Sequence, residues 1–234
     1  MSVRSHRVLV PGVAAGEQVI SGSEATHLVR VLRVKAGQQV VAFDGKGLEA
    51  LGQVVDASDG RVVLHLADPV PGEVEASLRL TLAVALLKGD RLADVVRQGT
   101  ELGVARFRPL ITRYSDVRVL SQAKLDRLRR VAREASKQSG RALVPEVDAA
   151  VTLDSFDAAG AVAYADPRAA TTLAELVVTD SLTVITGPEG GLSLEEVGRL
   201  EALGATGLQL GRRILRAETA PVAIAAALLA ARGD

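Results

Sequence analysis

The pattern of apolar and polar positions changes at about residue 70. Before that point, short β-branched segments bounded by Gly or Asp predict strands, because such segments fit a half-buried pleated surface. These segments are residues 8–10, 39–43, 52–55 and 62–66. One stretch of helical spacing, capped by Ser23 and continuing to Arg33, interrupts them, with Leu28 and Leu32 on its apolar side. Residues 1–70 are therefore predicted to form a small β-rich domain.

Two prolines and a glycine within residues 69–73 predict a linker. Beyond it, apolar segments of strand length alternate with segments of helical spacing. Strands are predicted at residues 78–87, 107–111, 161–165, 182–185 and 208–210, and helices at residues 90–102, 121–139, 172–177, 193–203 and 218–231. This alternation is typical of a parallel α/β sheet with helices on both faces, and we expect it to form a second domain over residues 74–234.

Composition excludes several kinds of site. The chain has no cysteine, so disulfides, thiolate metal sites and a cysteine nucleophile are excluded. Its three histidines, His6, His27 and His65, are scattered, and we expect no metal. The longest apolar run, residues 220–231, is shorter than the roughly 20 residues that span a bilayer. Since no signal peptide is apparent either, we expect a cytoplasmic protein with no membrane partner.

Charge is unevenly placed although the net charge is zero. Residues 88–141 carry 14 Lys and Arg against 6 Asp and Glu, whereas residues 142–234 carry 6 against 13. The basic segment has two interpretations, ordinary solvated helix faces or a surface for a polyanionic partner.

Residues 187–191, Gly-Pro-Glu-Gly-Gly, lie between a predicted strand and the helix that Ser193 and Glu196 cap as a capping box. Glycines let a ligand approach the backbone, and ligands of open α/β sheets bind at the carboxyl ends of strands. The turn is neither a Rossmann fingerprint nor a P-loop, so triphosphate binding is not indicated. The alternative is a tight connection without a ligand.

A second turn, residues 210–220, follows the last predicted strand and crowds three arginines and Glu218 together. Solvated surface is one interpretation of this cluster, and a second half of the ligand cradle is the other. Glu218 could act in catalysis or offset the dipole of the last helix. That helix is apolar all round, which predicts burial either against a second copy of the chain or within one subunit.

These blocks together resemble one family. The blocks are residues 27–33 and 43–45, then residues 88–91, 100–104 and 134–141, and finally residues 187–191 and 210–220. In this order, they are similar to the SPOUT-class RNA methyltransferases and, within them, to the RsmE family. The family usually carries an arginine immediately before a serine after the strand that contains Pro109, whereas this chain has Tyr114 before Ser115, with Arg113 adjacent.

The resemblance implies a C-terminal SPOUT domain, a parallel sheet with a deep trefoil knot, and a small PUA-like N-terminal β-barrel domain. It implies a homodimer through the C-terminal helix. It also implies methylation of N3 of a uridine in 16S rRNA of the small ribosomal subunit, with S-adenosyl-L-methionine as methyl donor. Two alternatives stay open: a SPOUT methyltransferase for another RNA, such as a tRNA ribose 2′-hydroxyl, and a non-catalytic RNA-binding or assembly protein.

The resemblance also suggests roles for individual residues. Arg216 would stabilise the anion of the target base, and Glu218 or Glu189 would accept its proton. RNA would be held by His27, Arg30, Arg33, Lys88, Arg91 and Arg141. The methyl donor would be bound by Thr186, Gly187, Pro188, Glu189, Gly190, Gly191, Leu210, Gly211, Arg213, Ile214, Leu215 and Ala220. Gly190→Val is expected to block the donor sterically.

Overall fold

The computed structural model describes residues 6–58, 60–157, 160–176 and 180–234, which divide into two compact units. The first comprises residues up to Glu75 together with Ser136–Val144, and the second Ala76–Ala135 with Pro145–Asp234. The domain division at residues 1–70 and 74–234 stays a prediction, and its residues 1–5 lie outside the described part.

The first unit is built on a six-stranded sheet in the order β1-β3-β4-β5-β2, with β6 paired to β4. Its strands are β1 His6–Leu9, β2 Gly16–Ser21, β3 Gln39–Phe43, β4 Leu48–Ser58, β5 Arg61–Leu66 and β6 Val70–Pro71. Only the pairing of β1 with β3 is parallel. Val8, Leu28, Val40 and Leu64 are fully buried in its core. The predicted linker is partly wrong, because Val70–Pro71 pairs with the β4 strand.

The helical stretch of this unit differs from its prediction. Helix α1 spans only Gly22–Thr26, and a π-helical turn continues from His27 to Val31. Ser21, not Ser23, is the N-cap. Arg33 then adopts a left-handed φ of 51°, which ends the helical run.

Residues 136–144 are tied to the rest of the first unit by ion pairs whose cations are buried and whose carboxylates are half-buried. Lys137 Nζ lies 2.7 Å from Glu24 Oε1, and Arg141 Nη2 lies 2.9 Å from Glu75 Oε2. The second oxygen of Glu75 accepts a hydrogen bond from the Leu143 N–H at 2.8 Å. Buried pairs of this kind cost stability when one partner is removed, because the remaining charge is left without compensation.

The second unit contains a fully parallel sheet in the order β10-β8-β7-β13-β11-β14-β12, with β9 paired to β8. Its strands are β7 Arg79–Ala85, β8 Arg106–Ile111, β9 Glu146–Val147, β10 Val151–Thr152, β11 Ala161–Ala165, β12 Thr171–Thr172, β13 Ser181–Thr186 and β14 Thr206–Gln209. Its helices are α2 Arg91–Leu102, α4 Leu194–Ala202 and α5 Thr219–Ala230; α3, Gln122–Ser139, belongs to it up to Ala135. The predicted mixed α/β class with a parallel sheet is confirmed.

Helix boundaries in this unit follow the predicted signals. Gly103, with φ of 109°, ends α2, and Ser193 and Glu196 form the predicted capping box of α4. The helix predicted at residues 172–177 is instead a 3₁₀ turn at Leu173–Glu175, and its predicted end at Val177 lies outside the described residues.

The last helix crosses back over the sheet. Strand β14 is separated from β13 by β11, yet α5 contacts β13, β7 and α2. The segment between β14 and α5 must therefore pass the carboxyl ends of the strands between them. One face of α5 is buried, with Ile224, Ala225, Leu228 and Leu229 at its centre. None of the helices in the described part of the chain is both long and apolar enough to cross a membrane.

Candidate active site

A cavity of about 400 Å³ opens at the carboxyl ends of β11, β13 and β14. Three segments surround it, residues 164–168, 186–192 and 208–220, and helix α5 adds Ile224. All twelve residues that were predicted to bind a cofactor line this cavity. The two glycine-containing turns, which lie about twenty positions apart in the sequence, therefore meet around one space, as ligand sites in parallel sheets do.

The loop after β13 is too tight for side chains at its first glycine. A Cβ on Gly187 would lie 2.8 Å from the backbone carbon of Gly191, which is closer than real Cβ contacts allow. Gly191 has a φ of 73° and donates its N–H to Pro188 O at 2.9 Å. Backbone groups of the loop can therefore reach the cavity directly.

Gly190 has a different neighbour from the one predicted. A Cβ there would lie 3.0 Å from Tyr114 Cβ, so a larger residue would press on Tyr114. Gly190 also lines the cavity, and blocking of the donor by Gly190→Val stays a prediction.

Thr186 supplies an unused polar group to the cavity. The residue is 1% exposed, and its Oγ1 has no hydrogen-bond partner within the described part of the chain. Buried hydroxyls normally have a partner, so an orphan at a cavity wall is suited to hydrogen-bond a ligand.

Residues 164–168, which the sequence prediction missed, form the opposite wall. Burial raises the pKa of Tyr164 to about 12, so the phenol stays protonated and donates to Glu201 Oε1 at 2.8 Å. Asp166 lies 3.0 Å from Arg168 Nη2, and this hydrogen bond lowers the pKa of the Asp166 carboxyl. Tyr164 is therefore a wall residue without base chemistry, whereas Asp166 is an ionised acceptor.

The two carboxylates predicted to take part in catalysis share one cation. Arg91, in the first turn of α2, forms an ion pair with Glu189, and its Nε lies 3.9 Å from Glu218 Oε1. The other oxygen of Glu218, Oε2, is buried and has no hydrogen-bond partner within the described residues. Arg91 was predicted as an RNA contact, but here it brings Glu189 and Glu218 together.

Other predicted residues lie outside the cavity. Arg216 is exposed and forms no ion pair within the described part of the chain, and it does not line the cavity. The exposed ammonium of Lys88 lies 2.8 Å from Asp116 Oδ2, and this hydrogen bond raises the pKa of Lys88. Of the first unit's candidates, Arg30 and Arg33 are exposed and His27 is half-buried.

Arg141 does not fit its predicted role. It is 3% exposed and bound to Glu75, so an RNA phosphate could not reach its guanidinium in this arrangement. Its burial gives it a structural function in the first unit.

Comparison with known proteins defines the class first. Residues 74–229 match the model of the RNA methyltransferase domain, and residues 20–66 match that of the RNA methyltransferase PUA domain. The cavity thus lies within an RNA methyltransferase domain.

Individual relatives identify the family. Ribosomal RNA small subunit methyltransferase E of Synechocystis is 34% identical over 89% of this chain and 73% of its own, and that of Bacillus subtilis is 31% identical over 87% and 86%. The chain belongs to the ribosomal RNA small subunit methyltransferase E family, which confirms the resemblance drawn from the motifs.

Two solved structures share this fold over nearly their whole length. A methyltransferase of Legionella pneumophila, solved with bound S-adenosylmethionine, has a TM-score of 0.90 at 30% identity, covering 98% of both chains. The family enzyme of Neisseria gonorrhoeae, also bound to S-adenosylmethionine, has a TM-score of 0.88 at 27% identity, covering 97% of this chain and 98% of that one.

Proposed function

We propose that this protein transfers a methyl group from S-adenosylmethionine to N3 of a uridine in 16S rRNA of the small ribosomal subunit. The observation that carries the proposal is the convergence of residues 186–191 and 210–220 on one cavity of about 400 Å³. Relatives named as small subunit rRNA methyltransferases, one of them solved with S-adenosylmethionine, support both the substrate and the cofactor.

The residues of the cavity fit S-adenosylmethionine. The backbone of Gly187 and Gly211, which both line the cavity, and the orphan hydroxyl of Thr186 offer hydrogen-bonding groups to its polar parts. Apolar side chains of Leu208 and Ile224 offer a surface for its adenine. The cofactor supplies an already activated methyl group, so the protein's principal task is to align the acceptor nitrogen.

Uridine N3 carries a proton and must lose it before it attacks. Glu218 is our first candidate for the base, because its Oε2 is buried and free to accept a hydrogen bond. Glu189 is the alternative, since it binds the same Arg91. Arg216, exposed and without an ion pair in the described part, is proposed to stabilise the negative charge on the base.

RNA is proposed to bind through exposed cations. Arg30 and Arg33 of the first unit, and Lys88 and Arg91 of the second, remain candidates for phosphate contacts, with His27 beside the first pair. Lys88 and Arg91 would have to exchange carboxylate partners for phosphates, which makes this contact sensitive to salt. Arg141 is not a candidate for a phosphate contact, because its side chain is buried.

The homodimer and the trefoil knot are also proposals. The exposed positions in the second half of α5 are the alanines Ala227 and Ala230, which offer a smooth surface for a second copy. The return of α5 from β14 to β7 and β13 is consistent with a knotted path. Ribosomal subunits as substrate support a cytoplasmic location.

The decisive experiment uses labelled S-adenosylmethionine and undermethylated small ribosomal subunits, followed by mapping of the modified base. Label at N3 of one 16S uridine is expected. Label on a ribose hydroxyl of tRNA would favour another RNA target. Absence of cofactor binding by titration calorimetry would favour a non-catalytic RNA-binding protein.

A further inference from the structure

One aromatic side chain is exposed although the chain has few aromatics. It contains three Phe, two Tyr and no Trp. Phe43, Phe107, Phe156 and Tyr164 are each at most 8% exposed, whereas Tyr114 is 52% exposed. An aromatic side chain left half in water in a chain that buries the others requires an explanation, and binding is the usual one.

Tyr114 lies beside the cofactor loop. A Cβ on Gly190 would be 3.0 Å from Tyr114 Cβ and 3.4 Å from its Cγ, so the absence of a side chain at Gly190 leaves room for the tyrosine. Gly190 itself lines the cavity. The ring is therefore held on the β8 side of the loop, beside the cavity that is proposed to bind the methyl donor.

The segment that carries Tyr114 is fixed by hydrogen bonds. The Arg113 N–H donates to Glu196 Oε1 at 2.7 Å, and the guanidinium of Arg118 donates to Thr112 O at 2.9 Å and to Arg113 O at 2.7 Å. The hydroxyls of Thr112 and Ser115 are 2.9 Å apart. A ring on such a segment loses little conformational entropy when a ligand stacks on it.

The charges beside the ring suit a nucleic acid. Arg113 is exposed and its side chain forms no ion pair within the described residues, and Lys88 lies at the same end of the sheet through its contact with Asp116. An exposed ring flanked by cations is the arrangement that single-stranded nucleotides bind, with the base on the ring and phosphates on the cations.

We propose that Tyr114 is a stacking platform for an unpaired base of the RNA substrate, either the target uridine or its neighbour. This inference rests on the proposed function and adds a binding residue that the two cofactor loops do not contain. Because Tyr114 would position the RNA and not the methyl donor, substituting it should leave the affinity for the methyl donor unchanged.

Methyl transfer to undermethylated small subunits by Tyr114→Ala and Tyr114→Phe tests it. The alanine variant should lose about tenfold or more in kcat/KM for RNA, because it lacks the ring on which a base stacks, and the phenylalanine variant should stay near wild type. S-adenosylmethionine affinity should be unchanged in both. Wild-type transfer by the alanine variant overturns the proposal. So does a loss of cofactor affinity, since Tyr114 would then act through the loop.

A fluorescence measurement tests stacking without catalysis. Because the chain has no tryptophan, Tyr114→Trp places a single reporter at the platform. At concentrations that saturate binding, judged by anisotropy of an end label, a short single-stranded oligoribonucleotide with one central uridine should quench its emission. The same strand with an abasic site there should quench it less. Equal quenching, or emission that depends on protein concentration because a second copy covers the residue, overturns the proposal. A wild-type protein that neither binds S-adenosylmethionine nor methylates RNA would instead overturn the proposed function.

Discussion

At the scale of single residues, Glu218, the proposed base, lies in an environment that no local pattern reveals. Glu218 precedes α5, where sequence alone allows a helix-dipole role as readily as a catalytic one. In the structure it makes no side-chain cap and leaves Oε2 buried and unpartnered. Glu218 does not itself line the cavity, but its neighbour Ala217 does, and a free acceptor at this position is better explained by chemistry than by capping.

Glu218→Gln is expected to lower kcat by about 10²-fold or more at neutral pH, the contribution typical of a general base. The rate should recover as pH rises, because N3 then loses its proton without help. S-adenosylmethionine affinity should stay constant. Glu189→Gln is the matched variant. If only this substitution lowers kcat, the general base is Glu189 and not Glu218. Full activity in both would rule out a carboxylate base.

Arg216→Ala should bind S-adenosylmethionine like the wild type but transfer methyl groups at least about tenfold more slowly, since removing one donor to a developing anion costs more than that in other enzymes. Titration calorimetry and a single-turnover assay separate the two effects. Arg212→Ala is the control, because Arg212 is equally exposed and does not line the cavity. Normal turnover would remove Arg216 from the mechanism.

Gly187→Ala should weaken S-adenosylmethionine binding by about tenfold or more, because its Cβ would meet the backbone of Gly191 at 2.8 Å and the loop would have to move. Gly198→Ala is the control, because Gly198 lies in helix α4 and a Cβ added there would meet no atom within 4 Å. Calorimetry on both variants gives the comparison. Unchanged affinity in Gly187→Ala would mean that the loop conformation is not needed for binding.

The glycine-containing turns of the sequence led to residues that line one cavity in the structure. Tyr164 and Asp166, on the far wall, were missed because the turn after their strand, which begins at Asp166-Pro167, contains no glycine. The meeting of Arg91 with Glu189 and Glu218 was also missed. Its members come from three elements far apart in the chain, and only the folded sheet brings them together.

At the scale of elements, long periodic segments were predictable and short ones were not. The boundaries of α2, α3 and α4 followed cap residues and apolar spacing. Strands β9, β10 and β12 have two residues each, too few for any period to show. The placement of β13 between β7 and β11 depends on long-range pairing that no local pattern encodes.

Helix α5 shows what the spacing of apolar residues can predict and what it cannot. Its sequence predicted burial all round, yet in the described chain only one face is covered, and Ala227 is exposed on the other. Ala227→Glu should shift the protein from dimer to monomer in sedimentation equilibrium, and its unfolding temperature should fall by the part that dimerisation contributes. Ala123→Glu, at an exposed position of α3, should change neither. A dimer that survives the substitution would place the interface elsewhere.

At the scale of the whole molecule, the basic excess of residues 88–141 is largely compensated. Carboxylates from outside this segment pair with five of its cations, Arg91, Arg106, Arg108, Lys137 and Arg141. Net charge per segment therefore overstates the positive surface, and exposed cations without such partners are better candidates for RNA contacts.

RNA affinity should fall steeply with salt, and removing one phosphate contact should reduce the slope of log affinity against log salt by about 1. Arg30→Ala and Arg33→Ala are expected to show this reduction, whereas Arg61→Ala, exposed on β5, should not. Filter binding with undermethylated small subunits over a salt series provides the slopes. A slope that neither substitution changes would exclude the first unit's arginines from the RNA contacts.

The first unit is built from two separate segments of the chain, which limits how this enzyme can be divided into fragments. Ser136–Val144 supplies Lys137 and Arg141 to the carboxylates of Glu24 and Glu75, all within that unit. A cut directly after Glu75 would leave these two half-buried acids in one fragment and the two cations in the other. Anyone grafting the N-terminal module of a relative onto this methyltransferase must transplant two pieces of chain, the second of them the end of α3.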